Sequence, residues 1–319
     1  MAVTLEEAKK NVQDDLQMGV IDEFRKSSWL LDHLTFDDVV SPVGGGATMT
    51  YGYTRLKTQP TAEFREINSE YSTNEVTKEK HSVELKIFGG AYKIDRVIAN
   101  MGGIVDEVDL QTKQKVKAAQ ALFNDTFING DTGTDSKAFD GLDQALTGSS
   151  TEYNTGDNVI DLSTSELITA NYMTFLDMMD EFISGLDGTP SFLGMNSKMA
   201  AKFRACARRA SMYQVTKNEF GQQVESYGNI PFVDLGAKAG SNDDVVGTDG
   251  TKGTTSIYAG RLGLDGLHAV SPSGQAPVQI WLPNFKEAGA VKTGEVEMIA
   301  AIALKASKAA AVFRNIKVK

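Results

Sequence analysis

The stretch Phe127-Ile128-Asn129-Gly130-Asp131-Thr132-Gly133-Thr134-Asp135-Ser136-Lys137-Ala138-Phe139-Asp140-Gly141-Leu142 decides how this chain is read. It follows a run with helical periodicity, in which Val116, Ala119, Phe123 and Phe127 share one face with Leu122 beside it. Asp106 is placed as an N-cap, with Asp109 one turn on, so the spacing predicts a helix over 106–129. About 22 residues at ~1.5 Å each make a rod of roughly 33 Å. Gly130 stands where a C′ residue in the left-handed region is expected. A long helix, an abrupt Gly/Asp turn and a Gly-Leu re-entry follow one another without a spacer.

On either side of that junction the composition excludes more than it suggests. A chain of 319 residues is too long for one compact core and predicts two packed lobes. Apolar content of 41% with 23% charged residues is that of a soluble globular protein. No apolar run approaches the roughly 18 residues that span a bilayer, and the polar start Met1 to Lys10 has no signal-peptide core, so a cytosolic protein without membrane contact is expected. Cys206 is the single cysteine, which rules out an intrachain disulfide and a cysteine-based zinc site. With His33, His81 or His268 it could form a nucleophile–base pair. Its place on an apolar helical stripe with Met199 and Phe203 favours a small buried hydrophobe instead.

The net charge of −10 is unevenly distributed. Lys198, Lys202, Arg204, Arg208, Arg209 and Lys217 occupy an acid-free stretch, and Lys305, Lys308, Arg314, Lys317 and Lys319 occupy another. Those two stretches hold 11 of the 32 basic residues, which leaves 21 against 42 acids elsewhere. Local basic seams or a basic lining on an otherwise acidic body fit this pattern, as do two solvated faces.

Periodicity divides the chain further. Leu5, Ala8, Val12, Leu16 and Gly19 give residues 1–35 a thin helical stripe, and Ser41 to Gly46 read as a linker. Met49, Tyr51 and Tyr53 alternate with threonines, and Val83, Leu85 and Ile87 alternate with polar residues, which predicts an outgoing and a returning strand. Between them five bases (Arg55, Lys57, Arg65, Lys78, Lys80) and five acids (Glu63, Glu66, Glu70, Glu75, Glu79) surround only Leu56, Ala62, Phe64, Ile67, Tyr71 and Val76. Such a segment cannot form a core by itself, and an isolated two-stranded ribbon is marginal. It is a mobile loop or an arm made to lie on a neighbour.

Ser163-Thr164-Ser165-Glu166 reads as a capping box for a helix through Ile168, Tyr172, Phe175, Met179 and Phe182, ended by Gly185. A strand from Ser191 to Met195 leads to a third helix, capped by Asn196 or Ser197, with Met199, Phe203, Cys206, Ala210 and Tyr213 as its stripe. Gly228 to Val233 is a turn into an edge strand, because Pro231 cannot donate within a ladder. After a polar loop from Gly236 to Gly253, strands are predicted at Ser256–Ala259, Gly266–Val270 and Pro277–Leu282. The clearest alternation runs from Glu295 to Leu304.

Chemistry-bearing motifs fail their own requirements. Asp131-Thr132-Gly133 matches the aspartic-protease triplet, but that reaction needs two carboxylates and no second copy exists. Asp131, Gly133 and Asp135 lack the glycine and closing glutamate of a calcium loop. Asn242, Asp243, Asp244 and Asp249 could gather round a hard cation, though a solvated acidic loop is the simpler reading. Gly44 to Gly46 and Gly260 to Gly266 lack the Lys-Ser/Thr of a phosphate loop. No catalytic, cofactor or metal residue is assigned, and no enzyme activity is expected.

The order of these features, from the arm through the charged two-stranded excursion, the helix ending at Asn129-Gly130-Asp131, Phe139-Asp140-Gly141-Leu142, Gly194-Met195-Asn196-Ser197 and Gly228-Asn229-Ile230-Pro231-Phe232-Val233 to the strand-rich end, resembles the major capsid protein family of tailed bacteriophages. It covers most of the chain from about residue 40 onward, and the order carries it, since no single motif is diagnostic. The resemblance implies an α+β fold of the Hong Kong ninety-seven type with a peripheral domain, an axial domain, a long spine helix and an extended β-hairpin loop. Carried onto this sequence, it implies an arm over 1–47, the extended loop over 48–88, a peripheral domain with the spine helix over 89–149, an axial domain over 150–270, and C-terminal strands over 271–319 returning to the peripheral domain.

The implied function is a structural protein that self-assembles into an icosahedral shell of hexamers and pentamers around double-stranded DNA, in a virion assembled in the host cytoplasm. An encapsulin-type nanocompartment shell is the alternative, and a cytosolic two-domain enzyme the less favoured third. Relatives with a long cleaved scaffolding segment differ from this chain, whose short arm implies a separate scaffold, beside a portal and other virion proteins. No residue matches the lysine–asparagine cross-link of some relatives. The ten loop charges from Arg55 to Lys80 are the expected subunit contacts, and Lys202, Arg204, Arg208 and Arg209 the expected DNA-facing or seam residues.

Overall fold

The computed structural model describes residues 29–40, 49–101, 106–156, 158–211, 214–217, 223–274 and 276–319. The helical stripe of residues 1–19 and the linker at 41–46 lie outside these residues, as does Tyr213. In chain order the elements begin with α1 (Trp29–His33), β1 (Phe36–Val40), β2 (Thr50–Leu56), β3 (Lys78–Glu84), β4 (Lys86–Asp95), α2 (Arg96–Asn100) and α3 (Glu107–Asn129). They continue with α4 (Leu142–Leu146), β5 (Glu152–Tyr153), β6 (Ile160–Asp161), α5 (Ser165–Ser184), β7 (Phe192–Gly194) and α6 (Ser197–Arg209). The strand-rich remainder is β8 (Gln214–Lys217), β9 (Gln223–Tyr227), β10 (Ile230–Val233), β11 (Thr254–Gly260), β12 (Leu267–Pro272), β13 (Val278–Trp281), β14 (Val291–Leu304) and β15 (Ala310–Lys317).

The long helix α3 begins as its sequence predicts: the Asp106 carboxylate accepts from the amides of Val108 (2.8 Å) and Asp109 (3.2 Å), two of the donors a helix start leaves orphaned. Its Ala119, Phe123 and Phe127 are buried. Phe123 is the aromatic centre of the first core, with ring centroids of Phe36, Phe88, Phe127 and Phe139 between 5.9 and 6.4 Å away. Side chains from two strands and a turn thus meet the helix at one of its residues.

At the end of α3 the reason for Gly130 differs from the sequence reading. Its φ of −60° and ψ of 135° are extended, not left-handed. The glycine is needed for space: a Cβ there would lie 2.2 Å from the Phe139 carbonyl oxygen and 2.6 Å from that of Thr126. Gly141 is as tight, since its Cβ would lie 2.5 Å from the Thr126 carbonyl oxygen, and its amide donates to the Gly130 carbonyl at 2.8 Å. The two glycines let the re-entering chain lie directly on the helix end. Between them Asp131 accepts from the Gly133 amide and the Thr134 hydroxyl, and Asp140 accepts from the amide and hydroxyl of Thr132. Asp131, which resembled part of a protease or calcium motif, brackets its own turn, and the Thr134 hydroxyl, then the Gly133 amide, hold its carboxyl below the ordinary range.

A five-stranded sheet lies against α3. In it β14 pairs antiparallel with β4, β12 and β13, and β1 adds parallel to β12. An eight-stranded sheet runs β5-β15-β11-β7-β10-β9-β8, with β6 also on β15. At β7, β11 and β15 both of its faces are buried, so alternate residues serve different cores. Phe192, Tyr258, Ala310 and Val312 face the core of α3, whereas Leu193, Ile257, Ala259, Ala311 and Phe313 face α5 and α6. In this second core Phe203 meets Phe175 edge-on at 5.3 Å and Phe232 at 4.6 Å. The two larger cores thus lie on opposite faces of this one sheet.

Several boundaries require correction. Residues 29–40 are built into the body and are no arm: Leu30 and Leu34 are buried in the first core, and β1 is a sheet strand. The helix after Ser163 is capped by Thr164, whose hydroxyl accepts from the Leu167 amide, so Glu166 falls one position short of closing a capping box. The returning strand starts at Lys78, and Ile87 already belongs to β4, because the chain changes sheets at Leu85. Residues 271–319 do not return together, since β15 leaves the five-stranded sheet and pairs with β11, β5 and β6. Ala310-Ala311-Val312-Phe313 is buried throughout and carries no alternation to tell which sheet it joins.

Candidate assembly surface

Strands β2 and β3 form a two-stranded antiparallel ribbon in register from Thr50↔Glu84 to Leu56↔Lys78. Its root is anchored on the body. The Tyr51 hydroxyl donates to Asp37 Oδ2 at 2.8 Å, and the Tyr53 hydroxyl to the Leu304 carbonyl at 2.9 Å. Arg55 Nε donates to the Lys305 carbonyl at 2.7 Å, while its Nη2 reaches the Leu304 carbonyl. Arg55, expected at a subunit contact, is therefore engaged with the end of β14 in its own chain.

Beyond the root every residue from Leu56 to Lys80 is exposed. The segment keeps some internal order. The hydroxyls of Thr58 and Thr77 are 2.9 Å apart, Asn74 Nδ2 donates to Thr61 Oγ1 at 2.8 Å, and the Glu63 carboxylate accepts from the amide and hydroxyl of Ser72. The Ser72 amide, then its hydroxyl, lowers the Glu63 pKa. Arg65 lies over the Tyr71 ring at 5.4 Å. None of Arg55, Lys57, Glu63, Arg65, Glu66, Glu70, Glu75, Lys78, Glu79 and Lys80 forms an ion pair with another described residue.

Phe64 is 105% and Ile67 90% exposed, with Tyr71 and Leu56 also largely in solvent. These two are the residues that weighing charges alone passed over; the available signal was large apolar side chains inside a charged segment. A second exposed apolar set lies at one end of the five-stranded sheet, on α2 (Val97, Ile98), at its C-cap Met101, and on the strands at Val291 and Trp281. Val291 pairs with Asp95 at the start of α2, and Trp281 with Glu295.

The basic group on α6 is largely committed to its own chain. Lys202 Nζ donates to the Ser163 carbonyl, Arg204 pairs with Glu225 at 2.8 Å, and Arg209 donates to Thr169 Oγ1 at 3.0 Å and Ser165 Oγ at 2.9 Å. Arg208 is exposed. At the C-terminus Arg314 is a strut: it pairs with Asp143 at 2.7 Å and with Glu152, and Asp143 also accepts from the Tyr258 hydroxyl. Burial opposes its charge, but Asp143 and Glu152 outweigh that and raise its pKa. Cys206 is wholly buried, and burial pushes its thiol up to about 11, the opposite of an activated nucleophile. Among the described residues no helix is long and apolar enough to cross a membrane.

Solved structures align with this fold over nearly the whole chain. An encapsulin complex from Synechococcus elongatus aligns over 100% of this chain and 98% of its own at 16% identity, with a TM-score of 0.68. This is the shell fold of tailed-phage capsids. The capsid of Myoviridae phage XM1 aligns over 98% of this chain and 99% of its own at 13% identity, with a TM-score of 0.57. A chain of Mycobacterium phage Adephagia aligns over 100% and 99% at 12% identity, with a TM-score of 0.60. No protein-family model matches the sequence, and no curated protein matches it. At such identities the likeness is one of fold.

Proposed function

We propose that the chain is a structural shell subunit whose copies assemble, through the ribbon, into hexameric and pentameric capsomers of a closed icosahedral shell around double-stranded DNA. The observation that carries this reading is the ribbon itself, beyond which Phe64 and Ile67 stand clear of the other described residues. Burying side chains of this size contributes roughly 1.5–3 kcal/mol each, a gain the isolated subunit forgoes and a neighbouring copy supplies. Charges of both signs around them give such a contact register and selectivity. In this reading α3 and its sheet form the peripheral part, α5 and α6 the axial part, and a separate scaffold, a portal and other virion proteins are partners. No catalysis is assigned to the chain.

The DNA contact is electrostatic and indifferent to sequence, because a lining meets every sequence in the genome. With Lys202, Arg204 and Arg209 engaged, Arg208 is the member of that group placed to make it. A nanocompartment shell around protein cargo is the second reading, favoured by the TM-score of 0.68 against an encapsulin of nearly equal length. Chain length does not separate the two.

Negative-stain microscopy of the purified protein tests the shared claim, with closed particles expected and monodisperse subunits overturning both readings. Nuclease-protected DNA inside particles purified from their source supports the first reading. Particles that hold protein and no nucleic acid replace it with the second.

A further inference from the structure

His268 sits on β12 with no exposed surface, and neither ring nitrogen makes a hydrogen bond of ordinary geometry with the described residues. An orphaned polar ring at that depth is costly to keep. Its surroundings are the root of the ribbon. From β1, Asp37 Oδ2 lies 3.8 Å from Nε2; from β2, the Tyr51 ring meets the imidazole edge-on at 5.7 Å; and just past β14, Lys305 Nζ lies 3.8 Å from the same Asp37 oxygen and 5.4 Å from the Tyr51 ring. Tyr51 donates its proton to Asp37, and the Tyr53 hydroxyl and Arg55 guanidinium close the rim on the carbonyls of Leu304 and Lys305. Asp37 and Lys305 already balance each other, so a proton on His268, which has no exposed surface, gives the chamber a net positive charge.

We propose that His268 makes the seating of the ribbon acid-sensitive: a proton taken up at its ring opens the root formed by Tyr51, Asp37 and Lys305 and releases the ribbon from the body. The step needs only a proton from solvent. Burial, then Lys305, depresses the imidazole pKa, and Asp37 and the nearby Gly266 backbone oppose them in part. The neutral ring therefore favours the closed root, whose advantage is full above the free-imidazole range and is lost as pH falls below it. As a regulation of assembly the proposal rests on the shell reading, but the opening itself is a property of the subunit.

Amide hydrogen exchange of the full chain between pH 7.5 and 5.5, corrected for its intrinsic pH dependence, tests it. Peptides covering Tyr51–Arg55 and Lys80–Glu84 are expected to open more readily by up to about tenfold per pH unit below ~6.5, the slope for uptake of one proton. Peptides of α5 should not follow. In His268→Gln the acid response should vanish, and in Lys305→Met, which removes the neighbouring cation, it should shrink. An acid response of unchanged size in either variant, or a flat response in the wild type, overturns the proposal. The Lys305 variant decides alone if the His268 variant does not fold. Particle formation is scored separately, so subunits that open with acid but never assemble would sink the shell reading and leave the switch standing.

Discussion

Phe123 and Phe64 are the same residue in two elongated parts of one chain, and their settings are opposite. Phe123, on the long helix, has no exposed surface and four aromatic neighbours; Phe64, beyond the ribbon, is 105% exposed. The helix gathers its apolar face against sheets of its own chain. The ribbon carries a few apolar side chains among charges that pair with nothing described. An element with enough apolar surface is held by its own fold, and in the proposed reading one with too little is left for a neighbouring copy to cover.

That contrast can be broken at either end. Removing residues 58–78 and joining β2 to β3 should abolish closed particles while leaving a cooperatively folded subunit, because the segment contributes nothing to either core. Normal particles from this deletion would show that the ribbon is not the contact. Phe123→Ala should cost about 3–5 kcal/mol in denaturant unfolding of the soluble subunit, the usual loss for a buried aromatic. A cost below roughly 1 kcal/mol would mean that the aromatic centre is elsewhere.

A smaller loss tests the junction that follows the helix. Gly130→Ala should destabilise by about 1–3 kcal/mol through overpacking against the Phe139 and Thr126 carbonyls. Gly156→Ala, where an added Cβ meets nothing within 4 Å, is the control and should stay within about 0.5 kcal/mol of wild type. Equal effects at the two sites would remove the argument from close approach.

The smallest effect lies in the charged segment. The Glu63 pKa is lowered by Ser72, so the Glu63–Ser72 bracket is complete above the ordinary carboxylate range and is lost as pH falls through the depressed value. Exchange at the Ser72 amide should accelerate in acid in the wild type, after correction for intrinsic rates, and be fast and pH-independent in Glu63→Gln. Identical behaviour of the two proteins would leave the bracket without a role.

Reading the sequence found those elements whose pattern is local. The α3 start, the Asn196 cap of α6 and the alternation along β14 each depend on neighbours a few residues away. It missed β1 and β15, whose places are decided by strands far off in sequence. It also placed Gly130 correctly for the wrong reason, because a backbone conformation can be inferred from a pattern and a close approach by residue 139 cannot. Charge misled in a similar way: Lys202, Arg204 and Arg209 form a visible basic run, yet Ser163, Glu225 and Thr169 that engage them come from other segments. In the ribbon the charged segment was legible, while the exposure of Phe64 and Ile67 became apparent only once none of the described residues covered them.

The central claim is that another copy of this chain covers the ribbon. Cryo-electron microscopy of the purified particles tests it most directly, by the surroundings of Phe64 and Ile67 in adjacent subunits. Both side chains should be buried against a neighbouring copy, with opposite charges of that copy within ion-pair distance of residues between Lys57 and Lys80. Closed shells in which both side chains still face solvent would contradict the claim.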